Sequence, residues 1–172
     1  MLVHLSIRNI VLIEKLDLEF NSGLTVLTGE TGAGKSILLD ALGLALGIRA
    51  DFSLVRHGHT SAQVSASFII PSEHPVRDLL IEAGILIQDE LILRRQLRQD
   101  RSLATINDEP VSVSLLHKCG DLLAEIQGQF EGRRLLDTST HLTLLDRISG
   151  HPQLVVSTQE AFQHCVNHSR II

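Results

Sequence analysis

The chain has 172 residues, with 15 Lys plus Arg against 20 Asp plus Glu, for a formal charge of −5. Its 44% hydrophobic content supplies a core and excludes a disordered chain, and no run approaches the roughly 18 apolar residues of a membrane span. Two isolated cysteines (Cys119, Cys165) and an N-terminus without signal-peptide pattern point to the cytoplasm, while the acidic balance excludes a wholly basic nucleic-acid-binding surface but not a local patch.

Taken in chain order, Val3, Leu5 and Ile7 alternate with polar residues, as do Leu16, Leu18 and Phe20. Period two predicts two strands with one buried face each. After the turn residues Asn21-Ser22-Gly23, the run Leu24–Thr28 predicts a third, more deeply buried strand. Ser36–Leu46 is apolar almost all round and predicts a buried helix ending near Gly47.

Between that strand and that helix lies Gly29-Glu30-Thr31-Gly32-Ala33-Gly34-Lys35-Ser36, a full match to G-x-x-x-x-G-K-[ST]. Glycines let successive backbone N–H groups converge on one concavity, and the following helix adds its positive end. Gly29, Thr31, Gly32, Ala33, Gly34, Lys35, Ser36 and Ile37 are therefore candidate contacts to a nucleoside triphosphate. Lys35 reaches the β- and γ-phosphates, and the Ser36 hydroxyl is a candidate Mg²⁺ ligand.

Further along, strands are expected over Gln63–Ile70, Leu91–Leu97 and Leu103–Ile106, with a helix over Val76–Ala83 that stops at Gly84. Asn107-Asp108-Glu109-Pro110 predicts a turn into Val111. Leu115, Leu116, Cys119, Leu122, Leu123 and Ile126 form a helical stripe, with Ser112 or Ser114 as its cap. A second helix is expected after Asp137-Thr138, ending at Gly150, followed by a weakly helical tail.

Hydrolysis requires a second acidic residue on Mg²⁺ and a group positioning water. Leu142-Thr143-Leu144-Leu145-Asp146 imitates a Walker B strand but has helical spacing, and predicts a core-facing helix. Ile85–Glu90 is closer in letters but reads as a solvated loop. No Leu-Ser-Gly-Gly signature occurs, so the P-loop stands without its catalytic complement.

Several segments together carry a resemblance: Leu5–Ile13, Phe20–Leu27, Thr28–Ser36, Asp40–Ala50, Ile106-Asn107-Asp108 and Ile126-Gln127-Gly128-Gln129. From residue 1 to about 150 the chain resembles the RecN family of bacterial DNA repair ATPases, relatives of the SMC proteins. The resemblance implies an α/β fold: an ABC/SMC-type P-loop ATPase head lobe, with a mixed sheet around the P-loop helix, an antiparallel β section and a following helical section. In that family the N-terminal part of the head carries Walker A and the Q-loop. The C-terminal part, beyond a long coiled coil, carries the signature, Walker B and the H-loop. The lobe would then span 1–150, with 151–172 leading toward the coiled coil.

By position, Gln129 would be the Q-loop catalytic glutamine and a Mg²⁺ ligand with Ser36. Gln127 remains the alternative, because the family's usual histidines are replaced here by Gln127 and Phe130-Glu131-Gly132. The implied cofactors are ATP and Mg²⁺. The implied partners are DNA, the C-terminal head portion of the same protein and a second copy joined through ATP-bound heads, without a membrane, in a cytoplasmic, nucleoid-associated setting. Alone, the chain is expected to bind ATP weakly and hydrolyse little. Two alternatives stay open: another P-loop enzyme such as a phosphotransferase, and a non-catalytic interaction module with a structural P-loop.

Arg94, Arg95 and Arg98, with Arg101 nearby, form a basic cluster that suits the phosphate backbone of DNA or simply guards an edge strand. Arg49, Arg56, Arg133 and Arg134 are lesser candidates for nucleotide or DNA. With neither Tyr nor Trp, DNA binding should be led by the backbone and indifferent to sequence. His57 and His59, and His164, Cys165 and His168, have metal-like spacing but no further ligand pair, and Cys119 reads as a core thiol.

Overall fold

The first strands form the expected hairpin: β1 (Leu2–Ile10) pairs antiparallel with β2 (Ile13–Glu19), from His4 opposite Glu19 to Ile10 opposite Ile13. The structure, a computed structural model, describes residues 1–29, 34–86, 89–98, 101–126, 142, 145–146 and 148–169. It divides into two units, Met1–Ile126 and Gln127–Ile172.

In the first unit the hairpin is extended by β3 (Ser61–Ile69), β4 (Glu90–Arg98), β5 (Arg101–Ile106) and β6 (Glu109–Val111). The order is β2-β1-β3-β4-β5-β6, and every neighbouring pair of these strands is antiparallel. Directly paired residues share a face, so the register builds two surfaces. Leu5, Ala66, Leu93 and Ile106 make one buried row, and Ile7, Val64, Arg95 and Ala104 the next. The opposite face carries Ser6, Ser65, Arg94 and Thr105 in register. Arg8 lies on that face and gives Asp17 two hydrogen bonds, of 2.7 and 2.9 Å.

Three helices accompany the sheet. α1 (Lys35–Ala45) buries Ala41, Gly43, Leu44 and Ala45, α2 (Val76–Glu82) buries Val76 and Leu80, and α3 (Val113–Leu123) buries Leu116, Cys119 and Gly120. α3 is capped by Ser112, whose Oγ accepts from Leu115 N at 3.1 Å. The helix stops earlier than its apolar stripe, because Ala124 is extended at φ −153. α1 and α3 approach backbone to backbone: a Cβ on Gly120 would collide with the Leu46 carbonyl oxygen, and one on Gly47 would lie 2.5 Å from His117 N.

Two turns explain residues that composition alone leaves unremarked. Asn107 and Asp108 have φ of 48 and 66, the left-handed pair of a tight hairpin turn. Asn107 then works as a clasp: its Oδ1 accepts from Ile92 N at 2.9 Å, and its Nδ2 donates to Leu86 O at 3.1 Å. At the β1–β2 tip, Val11 is held at φ 44, a costly conformation for a β-branched residue. Val11 N donates to Leu54 O at 2.8 Å, and Arg56 Nη1 donates to the carbonyls of Val11 and Leu12 at 3.2 and 2.8 Å. Arg56 therefore braces this tip.

One expected element differs. Leu24–Thr28 is not a strand, and its apolar side chains are open, with Leu24 93%, Val26 70% and Leu27 47% exposed. A strand buried on both faces needs neighbouring strands and a covering layer. Among the described residues no strand pairs with this run, so its apolar pattern finds no interior.

The second unit contains α4 (Pro152–Ser169), the expected helical tail. Leu142, Leu145 and Asp146 are helical, which supports the helical rather than the Walker B reading. Leu142 and Leu145 are nevertheless exposed, contrary to the expected core-facing position. Among the described residues no helix is long and apolar enough to cross a membrane.

Cys119 is fully buried, and burial pushes its thiol up to about 11 from an ordinary 9.0. The unfolded chain therefore releases this proton first. The corresponding stability is whole below pH 9, falls as pH rises toward 11, and amounts to about 3 kcal/mol at roughly 1.4 per unit. Urea unfolding across this range should show a decline that Cys119→Ala lacks; identical slopes would contradict the burial of this thiol.

Candidate nucleotide site

The P-loop helix begins with a residue only glycine fills comfortably. Gly34, the N-cap of α1, sits at φ 91 and ψ 4, and a Cβ there would meet nothing within 4 Å. Backbone angle, not space, demands the glycine. Its carbonyl accepts from Leu38 N at 3.0 Å, starting the helix without a side-chain cap. No acidic residue stands in the first turn, so the positive end of α1 is not offset by its own carboxylates.

Lys35, the first residue of α1, hydrogen-bonds through Nζ to the carbonyl of Gly29. That bond ties the start of α1 to Gly29. Ser36 is exposed on the same first turn, and Ile37 is half-buried, packing against the core. Behind them Ala41, Leu44 and Ala45 fix α1 on the sheet, so the direction of its N-terminus is set by core packing. The residues present suit a bound polyphosphate: an αL glycine, a helix start without acidic residues, a lysine and an accessible hydroxyl.

The other nucleotide positions, Thr31, Gly32 and Ala33, lie outside the described residues, as do Gln127, Gln129, Arg133 and Arg134. Among the described residues no group of three potential ligands is placed to hold a metal ion. His57, His59, His164 and Cys165 are exposed. Asp89, from the second Walker B imitation, is exposed at the start of β4.

The basic cluster is not one patch. In β4, Leu91, Leu93, Arg95 and Leu97 point to the core face, and Arg95 is only 2% exposed. Arg95 is thereby corrected from a surface candidate to an interior residue: strand alternation sends consecutive arginines to opposite faces. Arg94 and Arg98 lie on the outer face, where Arg94 bonds Asp108 at 2.5 Å and Arg98 pairs across the strands with Arg101. Arg49 is exposed beyond the end of α1.

Comparison with known proteins agrees with this architecture. The AAA-domain profile matches residues 4–120. The chain is 43% identical to the DNA repair protein RecN of Vibrio cholerae over 165 residues, covering 95% of this chain and 30% of that protein. It is 39% identical to RecN of Bacillus subtilis over 170 residues, covering 96% and 30% respectively. The chain thus spans about 30% of the length of these curated relatives. Among solved structures it is similar to the Smc head domain with an extended coiled coil from Pyrococcus furiosus, with TM-score 0.68, 19% identity, and coverage of 98% of this chain and 46% of that one. The RecF–ATP structure aligns with TM-score 0.51 and 17% identity, covering 64% of this chain and 27% of that one. The fold is that of an SMC-type head lobe, as the resemblance implied, except that the described strands form a wholly antiparallel sheet and not the expected mixed one, because Leu24–Thr28 pairs with none of them.

Gly34→Ala should cost roughly 1–2 kcal/mol of stability, the price of a left-handed angle for an L-residue. Urea denaturation checks it; an unchanged midpoint would contradict the αL start of α1.

Proposed function

The chain belongs to the AAA-domain family, and from that premise we propose that it is the ATP-binding N-terminal lobe of a RecN-type ATPase of DNA double-strand-break repair and recombination. The observation that carries this reading is the start of α1, with Gly34 left-handed at the N-cap and Lys35 hydrogen-bonded to the Gly29 carbonyl. Gly29, Thr31, Gly32, Ala33, Gly34 and Ile37 line the phosphate path with backbone groups, while Lys35 exchanges the Gly29 carbonyl for phosphate oxygens. Ser36 holds Mg²⁺, with Gln129, or Gln127 in its place, as the second ligand. ATP·Mg²⁺, when bound, supplies a scissile phosphoanhydride and a polyanion that a second head can share.

The partner readings follow from exposed surfaces. Leu24, Val26 and Leu27 have the composition of an interior strand and are open to solvent, so the C-terminal head portion of the same protein adds its strands there. That portion also supplies the acidic and signature residues that this sequence lacks, which is why the chain alone hydrolyses little. Two ATP-bound heads pair as a homodimer, and DNA contacts the outer face through Arg94 and Arg98.

Isothermal titration with ATP·Mg²⁺ tests the nucleotide reading. Lys35→Ala should weaken binding by about tenfold or more, the loss of one charge-assisted interaction. Equal affinity of variant and wild type, or no binding by either, overturns it. For DNA, Arg94→Ala with Arg98→Ala should lower the slope of log affinity against log salt by about two, one per phosphate contact. An unchanged slope removes the outer face as a DNA surface.

A further inference from the structure

Arg95 is an expensive residue to place where it is. It occupies the core face of β4 between Leu93 and Leu97, positions at which leucine is the local rule. Its Nη2 donates to Ser102 Oγ at 2.9 Å, whereas Nε and Nη1 are buried without a hydrogen-bond partner. A guanidinium carries five donors and a full charge, and a neutral hydroxyl offsets little of it. Among the described residues no carboxylate bonds to Arg95, and burial pushes its pKa below the ordinary arginine value.

The same residue lines a cavity of about 750 Å³ in the first unit, between the C-terminal end of α1, β4–β5 and the start of α3. Arg49, His117 and Lys118 line it with Arg95, Phe52 contributes an aromatic wall, and Ser102 and Ser114 contribute hydroxyls. Among the described residues its lining contains no acidic side chain. Asp51 accepts from Ser53 N at 2.9 Å, and Asp121 lies 3.0 Å from His117 Nδ1. The cavity opens beyond Gly47, at the opposite end of α1 from Lys35. Eleven helical residues separate the two ends, roughly 16 Å along the axis at 1.5 Å per residue. It is therefore not an extension of the P-loop.

We propose that this cavity is a second ligand site, which takes a phosphomonoester on a flat apolar body of nucleoside size. The phosphate sits between Arg49 and Lys118, with the buried Arg95 guanidinium behind them adding positive charge rather than a hydrogen bond, and the body lies against Phe52. Three cations and no carboxylate favour an oxyanion of charge greater than one. The cleft is broadly open to solvent, and its volume exceeds what a bare ion fills. The aromatic wall supplies a stacking surface for a ring. A bound anion would offset the Arg95 charge through its field alone, since Nε and Nη1 are enclosed and Nη2 bonds Ser102 Oγ. Two sources carry this chemistry: a free nucleoside monophosphate and the 5′-phosphorylated terminal nucleotide of a strand.

The test uses the 172-residue chain carrying Lys35→Ala, which suppresses the P-loop contribution. AMP, inorganic phosphate and adenosine are each titrated calorimetrically. AMP should bind saturably and more tightly than inorganic phosphate, and adenosine should not bind. Arg49→Ser with Lys118→Ser, both exposed positions outside the core, should weaken AMP by about tenfold or more while leaving the unfolding midpoint in place. Arg95→Gln should weaken AMP binding as well; if it does not fold, the exposed pair decides alone. Absence of AMP binding, adenosine binding as well as AMP, or affinity indifferent to the exposed pair overturns the proposal. A short oligonucleotide with and without a 5′-phosphate then separates the sources: preference for the phosphorylated strand assigns the strand terminus, and equal binding assigns the free monophosphate.

Discussion

The first unit depends on a single geometric constraint: a six-stranded antiparallel sheet whose register sends alternate residues of every strand to the same buried side. Leu5, Ile7, Val64, Ala66, Leu93 and Ile106 arrive together on that side because β1, β3, β4 and β5 are paired without a slip there. A shift of one residue in any pair would turn its leucines outward and arginines or serines inward. The helix that carries the P-loop residues is oriented by what it buries on this surface, Ala41, Leu44 and Ala45 among them, and by its close approach to α3. The direction of its N-terminus, and with it the positions of Lys35 and Ser36, follows from strand register several residues away in space and many more in sequence.

Glycine sets the second constraint, at two places with different physics. Gly34 is required by its backbone angle, since nothing crowds the position where a Cβ would stand. Gly120 is required by proximity, because α3 rides against the carbonyl of Leu46 at the end of α1. The close crossing lets Cys119 and Leu116 reach the core, and beside it remains the cavity lined by Arg49, Arg95 and Lys118. One end of α1 thus presents Lys35 and Ser36 and the other opens onto Arg49 and Lys118, with the packed helix between them.

Much of this was legible in the residues. Alternation placed β1, β2, β3, β4 and β5, and glycines with positive φ end both α1 and α2, at Gly47 and Gly84. Leu24–Thr28 was misread for a physical reason: hydrophobicity encodes that a segment has a partner, not that the partner lies in the same stretch of chain. Arg95 was a different failure. Reading arginines as a cluster counts charge along the sequence, whereas the strand pattern Leu91, Leu93, Arg95, Leu97 already placed this one among leucines. The signal was period two, and it outweighed proximity. The P-loop could be named from its spacing, but the bond from Lys35 to the Gly29 carbonyl is a contact in space.

The central claim is that core packing aims the start of α1 at a bound polyphosphate. Backbone amide NMR of the chain during titration with ATP·Mg²⁺ tests it most directly. The amides of Gly34, Lys35, Ser36 and Ile37 should shift with saturation while those of β5 and β6 stay in place. Shifts confined to other residues, or an unchanged first turn of α1 at saturating nucleotide, would contradict the account.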